Sequence, residues 1–284
     1  METFHKAWGC GRHPVLSRVR AVEMSDVEVA LAAAEAGAAV VRSSYGRELE
    51  RFAKSGTDFA TNVDLESERA ILAVIAEARP DDAREGEESA AVDGASGRRW
   101  LVDPLCGTLN YAAATPLAAV NVALQVGDDV PIGASADPIA DELFWTDGQR
   151  SLLRRAARDE PLTPSAISGL VDVNCDGPLD RPFVGGGLVA DPAFRAAFGP
   201  RVISSTLAVA WVAAGRRAGY VSDGFLRGSV HFAAGIAVCA AAGCVVSDLA
   251  GQPLHTGRGL IVAADEATHA RLVDLIRPHL DALE

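Results

Sequence analysis

Residues Trp100–Tyr111 read WLVDPLCGTLNY, and the order of residue types in this stretch decides the fold. Trp100, Leu101 and Val102 predict a short buried strand that stops at Asp103-Pro104, because proline has no N–H for a continuing ladder. Gly107 and Thr108 then open a helix. Polar groups at the carboxyl end of a strand, facing a helix N-terminus, form an anion site, and the N–H groups of Gly107 and Thr108 would point into it. Cys106 stands at that helix start, a position that lowers a thiol pKa.

Upstream, Ser25 and Glu28 form a capping box that begins an alanine-rich helix running to about Val41. A second helix is predicted over Asn62–Ala78, with Leu65, Ile71, Leu72 and Ile75 as its apolar stripe. Residues 81–99 are polar and contain glycine, which predicts a loop. Downstream, Ala118–Val126 and Ile132–Ala136 read as strands, the second stopping at Asp137-Pro138. Leu143–Leu153 reads as a hairpin turned by Asp147-Gly148. The second half alternates, with helices over Ser205–Ala214, His231–Ala242 and Asp265–Leu280 and strands at Val245–Val246 and Leu260–Ala264. This mixed order predicts an α+β fold, a layered α-β-α-β-α sandwich. Pro161–Pro164 divides it into an N-terminal lobe (1–160) and a C-terminal lobe (161–284) that act as one catalytic unit.

The motifs resemble the inositol-monophosphatase family, whose signature is a strand followed by Asp-Pro-x-Asp-Gly-Thr. Lys54–Asp64 (KSGTDFATNVD), Gly86–Ser89 (GEES), Pro138–Trp145 (PIADELFW), Ser204–Tyr220 and His231–Gly243 match further motifs in order. The resemblance implies a magnesium site made by Glu87, Asp103, the second signature aspartate and an aspartate opening the last motif helix. Glu87 and Asp103 are present, but Cys106 and His231 stand at the other two positions. Mg²⁺ takes oxygen ligands in near-octahedral geometry, so thiolate and imidazole are poor replacements.

Both substituted positions touch one ion in the family, which implies that Cys106 and His231 lie side by side as a thiol–imidazole pair. Asp103, three residues from the thiol, and Asp137, at the end of a strand finishing on the same side of the sheet, are the two candidates for orienting the imidazole. The N–H groups of Gly107 and Thr108 would hold an oxyanion. A thiol mechanism calls for no metal and no cofactor. The chain also resembles the Dieckmann cyclases of bacterial polyketide–nonribosomal peptide assembly lines. That resemblance implies a β-ketoacyl-aminoacyl thioester on a peptidyl carrier domain, passed to Cys106 and released as a tetramate or pyridone. Leu105, Leu109, Tyr111, Phe225, Leu226 and Phe232 suit such a small-molecule acyl substrate. The alternatives are a zinc-type phosphatase using Glu87, Asp103, Cys106 and His231, or a catalytically dead relative.

The 284 residues carry a net charge of −12, which argues against nucleic acid or an anionic membrane as partner. Arg150, Arg154, Arg155 and Arg158, with Arg216-Arg217, are the candidate patch for an acidic carrier domain. A homodimer is the candidate assembly. The five scattered cysteines form no Cys-x-x-Cys pair, and together with the absence of an export signal they point to the cytoplasm.

Overall fold

The computed structural model describes residues 24–54, 59–177 and 180–283; Cys10 and part of the Lys54–Asp64 motif lie outside these. Helix α1 (Asp26–Ser44) starts at the Ser25–Glu28 capping box and packs its alanine face on α2. Strands β1 (Arg51–Ala53) and β2 (Phe59–Thr61) pair antiparallel ahead of α2 (Asn62–Ala78), which is capped by Thr61 and Asp64.

A seven-stranded sheet follows in chain order: β3 (Ala83–Gly86), β4 (Arg98–Cys106), β5 (Ala119–Val126), β6 (Asp129–Asp137), β7 (Glu142–Thr146), β8 (Ser151–Arg155) and β9 (Arg158–Pro161). Only β3 and β4 pair in parallel. Helix α3 (Thr108–Ala112) links β4 to β5. The second half supplies β10 (Leu170–Val173), α4 (Val184–Ala190), α5 (Pro192–Ala197), β11 (Gly199–Val202), α6 (Leu207–Ala213), β12 (Gly219–Ser222), α7 (Ala233–Ala242), β13 (Val245–Ser247), β14 (Leu260–Ala263) and α8 (Glu266–Asp281). Its sheet runs β11-β10-β12-β14-β13.

The layers are α-β-α-β-α. Helices α1 and α2 cover one face of the seven-stranded sheet, and α6 and α7 lie between the two sheets. Helices α4 and α8 cover the outer face of the second sheet. Trp100 and Val102 point into the α1/α2 core, whereas Leu101 packs with Ala234 of α7, so Asp103 follows Leu101 onto the inner face by strand alternation. No helix among the described residues is long and apolar enough to cross a membrane.

Two local expectations need correction. Pro104 does not end β4: the strand continues to Cys106 through a register shift between Asp103 and Cys106, and proline is tolerated at such an irregularity. The polar stretch 81–99 is not all loop, because Ala83–Gly86 pairs with β4. Most of the arginine patch is also ion-paired. Arg150 pairs with Asp147, Arg154 with Asp159 and Glu35, Arg155 and Arg216 with Glu142, and Arg217 with the buried Asp172.

Candidate functional site

Cys106 closes β4, and the backbone then turns through Gly107 at φ 91°. A side chain at Gly107 would bring its Cβ to 2.5 Å from the Leu117 carbonyl oxygen, so only glycine fits the turn. Thr108 follows, its hydroxyl donating to Asp64 at 2.9 Å and sharing contact with the Leu105 carbonyl at 3.0 Å. Asp64 also caps α2, so one buried carboxylate joins the starts of α2 and α3.

His231 arrives from the other half of the chain, two residues before α7. Its Nδ1 lies 2.8 Å from Oδ2 of the fully buried Asp103 and 3.8 Å from Glu87. Ligand atoms of Asp103, Cys106 and His231 all fall within 4.8 Å of one another. The structure therefore brings three of the candidate residues together and leaves Asp137 out. Asp103 is in register with Asn121, and Asn121 with Ser135, which puts β6 two strand spacings, about 10 Å, from β4. The Asp137 carboxylate instead accepts from the N–H groups of Ile139 and Ala140.

The thiol differs from expectation in its helix partner. Its sulfur accepts from the Thr206 N–H at 3.4 Å, at the start of α6, not from α3. Burial pushes the Cys106 thiol well above its usual range, and the charges of Asp103 and Glu87 add to this; the Thr206 N–H pulls the other way. A lowered thiol pKa is thus corrected to a raised one, because partial burial beside two carboxylates outweighs one N–H dipole. Burial acts to lower the His231 pKa, but the hydrogen bond and charge of Asp103, with Glu87, overcome it and raise the imidazole to about 9. Burial and the Asp103 charge push Glu87 up to about 7, opposed by His231 and Lys54. Lys54 bridges Glu87 and Glu88 at 2.8 and 2.7 Å. At neutral pH the cluster holds a neutral thiol and an imidazolium; losing the imidazolium proton leaves a base beside the thiol.

Sequence reasoning passes over the support for Thr206. Ser135 donates to Asn121 at 2.7 Å, and Asn121 donates to the Thr206 hydroxyl at 2.8 Å, all three buried. The available signal is a polar residue on each of two neighbouring apolar strands, in VNVAL and GASAD. A cavity of about 470 Å³ opens over the cluster, lined by Glu87, Gly107, Thr108, Asp176, Tyr220 and Phe232 among others.

The donor set does not fit magnesium. Cys106 supplies sulfur, His231 supplies nitrogen, and that nitrogen is already committed to the Asp103 oxygen at 2.8 Å.

These features define a class: a five-layer α+β fold with a thiol, an imidazole and a carboxylate where the inner helices meet a sheet. The sequence profile of the inositol monophosphatase family matches residues 23–281, and the chain belongs to that family of enzymes. It is 33% identical to the probable inositol 1-monophosphatase ImpA of Mycobacterium tuberculosis over 78% of this chain and 83% of that protein. The Nus factor SuhB of Pasteurella multocida is 30% identical over 89% of this chain and 96% of that one. Among solved structures, the extragenic suppressor protein SuhB of Bartonella henselae superposes with a TM-score of 0.77 at 26% identity, covering 88% of this chain and 97% of that one.

These relatives overturn the ring-closing reading. They carry the names of inositol monophosphatases and Nus factors, so the Dieckmann cyclase assignment, its tetramate or pyridone product and the peptidyl carrier partner are withdrawn.

Proposed function

We propose that this family member works through a thiol and not through the four-carboxylate magnesium site, with Cys106 as nucleophile, His231 as proton acceptor and Asp103 as the carboxylate that orients the imidazole. The observation that carries this reading is the 2.8 Å contact of His231 with Asp103, with Cys106 within 4.8 Å of both. With Nδ1 committed to Asp103, Nε2 is the nitrogen that would take the thiol proton; among the described residues the Cys106 sulfur now accepts from the Thr206 N–H, so the thiol must turn toward the imidazole before it reacts. The lobe of residues 1–160 supplies thiol and carboxylate, and the lobe of residues 161–284 supplies imidazole.

The electrophile this site suits is a neutral acyl carbonyl. Among the described residues lining the cavity, His231 is the one cationic group, against Glu87 and Asp176. A neutral carbonyl meets less repulsion from those carboxylates than a phosphate dianion does, with the His231 imidazolium as the single opposing charge on the lining. In the acyl reaction the Cys106 sulfur bonds to the carbonyl carbon and the thiol proton passes to His231. The carbonyl electron pair moves to oxygen, in reach of the cavity wall at Gly107 and Thr108. Collapse expels the alcohol or thiol, which takes the proton back from His231. Water or another nucleophile then receives the acyl group.

A second reading has its own observation. Asp103, Cys106 and His231 are ligand types that a zinc-like ion accepts, with ligand atoms within 4.8 Å of one another, and such an ion would supply Lewis-acid chemistry. The phosphatase names of the relatives favour it. One experiment separates the two. With p-nitrophenyl acetate in EDTA, the thiol reading expects a burst of p-nitrophenolate and an acetyl group mapped to Cys106, both absent in Cys106→Ala. No adduct, together with p-nitrophenyl phosphate hydrolysis that EDTA abolishes and Zn²⁺ restores, would replace it by the metal reading.

A further inference from the structure

Glu87, Asp176 and Asp223 are the carboxylates lining the Cys106 cavity or the one that adjoins it. Two of them have a cation. Glu87 takes the Lys54 ammonium at 2.8 Å, and Asp223 takes the Arg258 guanidinium, whose Nη2 donates at 2.9 Å. Asp176 pairs with no cation among the described residues; its carboxylate accepts from the neutral Ser204 hydroxyl. The Asp176 N–H donates to Asn174 Oδ1 at 2.7 Å, and the Asn174 N–H to the Val221 carbonyl at 2.9 Å, so the loop that carries Asp176 is tied to β12. Asp176 is exposed, within reach of a solute in the cavity. Phe232 lines the same cavity, whereas Arg181 lines the adjoining one and not that of Cys106.

We propose that the acyl substrate of Cys106 carries an ammonium group and that Asp176 is the specificity-determining residue that recognises it. The proposal rests on the thiol reading above. An anionic substrate is repelled by Asp176, a neutral one gains nothing from it, and a cation is attracted. The aromatic ring of Phe232 suits the same group, because an alkylammonium is both apolar and positively charged. A cation within the substrate has a second effect. As the sulfur–carbon bond forms, the carbonyl electron pair moves onto oxygen in a cavity that already holds carboxylates, and the ammonium offsets that charge. The ammonium forms no bond and gives up no proton, so a quaternary nitrogen serves as well as a primary one.

The test compares pairs of acyl donors that differ by one charge, on the full chain in EDTA. Acetylthiocholine and S-(3,3-dimethylbutyl) thioacetate differ in whether nitrogen or carbon bears the methyl groups of the leaving group. The p-nitrophenyl esters of trimethylglycine and of 3,3-dimethylbutanoate place the same difference on the acyl side. The acylation rate of Cys106 is measured for each donor. Dividing the cation-to-neutral ratio of the wild type by that of Asp176→Asn cancels the intrinsic reactivity of the donors. Asparagine keeps an oxygen for the Ser204 hydroxyl, so the loop is retained. For at least one pair the quotient should be about two- to fivefold, the size of an exposed ion pair. Asp176→Lys should enlarge it, and ~1 M NaCl should shrink it. A quotient of one for both pairs, or one that Asp176→Lys does not enlarge, would overturn the role of Asp176 and leave the thiol reading standing. Absence of Cys106 acylation by every donor would remove the thiol reading itself and this proposal with it.

Discussion

Asp103 and Asp137 begin as equivalents. Each is followed by proline, each is buried near the end of a strand of the same sheet, and β4 and β6 run in the same direction because both oppose β5. Each uses one carboxylate oxygen to accept from the backbone N–H two residues on, Leu105 at 3.2 Å and Ile139 at 2.9 Å. The second oxygen separates them. That of Asp103 faces a histidine delivered from 128 residues away, whereas Asp137 spends its carboxylate on its own turn. Identical local chemistry thus becomes a candidate catalytic group or a turn cap according to what another part of the chain brings opposite.

The largest expected effect breaks this contrast at Asp103. Asp103→Asn should lower Cys106-dependent ester turnover by up to about 10³-fold, short of the roughly 10⁴ lost by serine proteases without their carboxylate. Steady-state rates with p-nitrophenyl acetate measure it, and a loss below about threefold would mean that Cys106 and His231 act without an orienting carboxylate.

The pH profile sharpens the same point. Asp103 raises both His231 and Cys106, so reactivity in the wild type should climb through about pH 9, where the imidazolium loses its proton. Asp103→Asn removes the raising charge, and the midpoint should fall by about one to two units even as the plateau drops. A midpoint that stays put or moves up would contradict the assigned cause. The sign for stability is separate. A histidine raised above its unfolded value of about 6.5 stabilises fully below that pH and loses this as pH passes through about 9. Melting temperature should therefore fall over that window, and less so in His231→Gln.

Asn121→Leu should have a smaller effect. It cuts the link between Ser135 and Thr206, loosening the N–H that contacts the Cys106 sulfur. A rate loss of about tenfold, or about 1.4 kcal/mol, is expected, checked by iodoacetamide labelling of Cys106. Asp137→Ala is the smallest in rate, within about twofold of wild type. Deleting its two turn bonds should instead cost about 1–2 kcal/mol of folding stability, read by urea unfolding.

What could be read from sequence follows the range of the forces involved. Helix α1 was legible from its Ser25–Glu28 cap and α2 from its apolar stripe, both settled within a few turns of chain, whereas the Thr61–Asp64 cap of α2 went unread. The hairpin β7–β8 was legible from Asp147-Gly148 for the same reason. Strand β3 was not, because Ala83–Gly86 is polar and owes its conformation to parallel pairing with β4. The passage of β4 through Pro104 was hidden too, since a proline reads as a stop unless the register shift beside it is known. At the site, the ordered motifs identified Cys106, His231 and Asp103 as candidates. The choice between Asp103 and Asp137 and the Thr206 contact depend on tertiary placement, which no local pattern encodes.

The central claim is that Cys106 and His231 form a working thiol pair held by Asp103. The most direct measurement is the rate of Cys106 alkylation by iodoacetamide at pH 9 in EDTA, followed by peptide mapping against Cys175 and Cys244 in the wild type and in His231→Gln. The account predicts that Cys106 reacts well ahead of the other two thiols and that His231→Gln removes the advantage. Labelling of Cys106 no faster than Cys175, or a rate indifferent to His231, would contradict it.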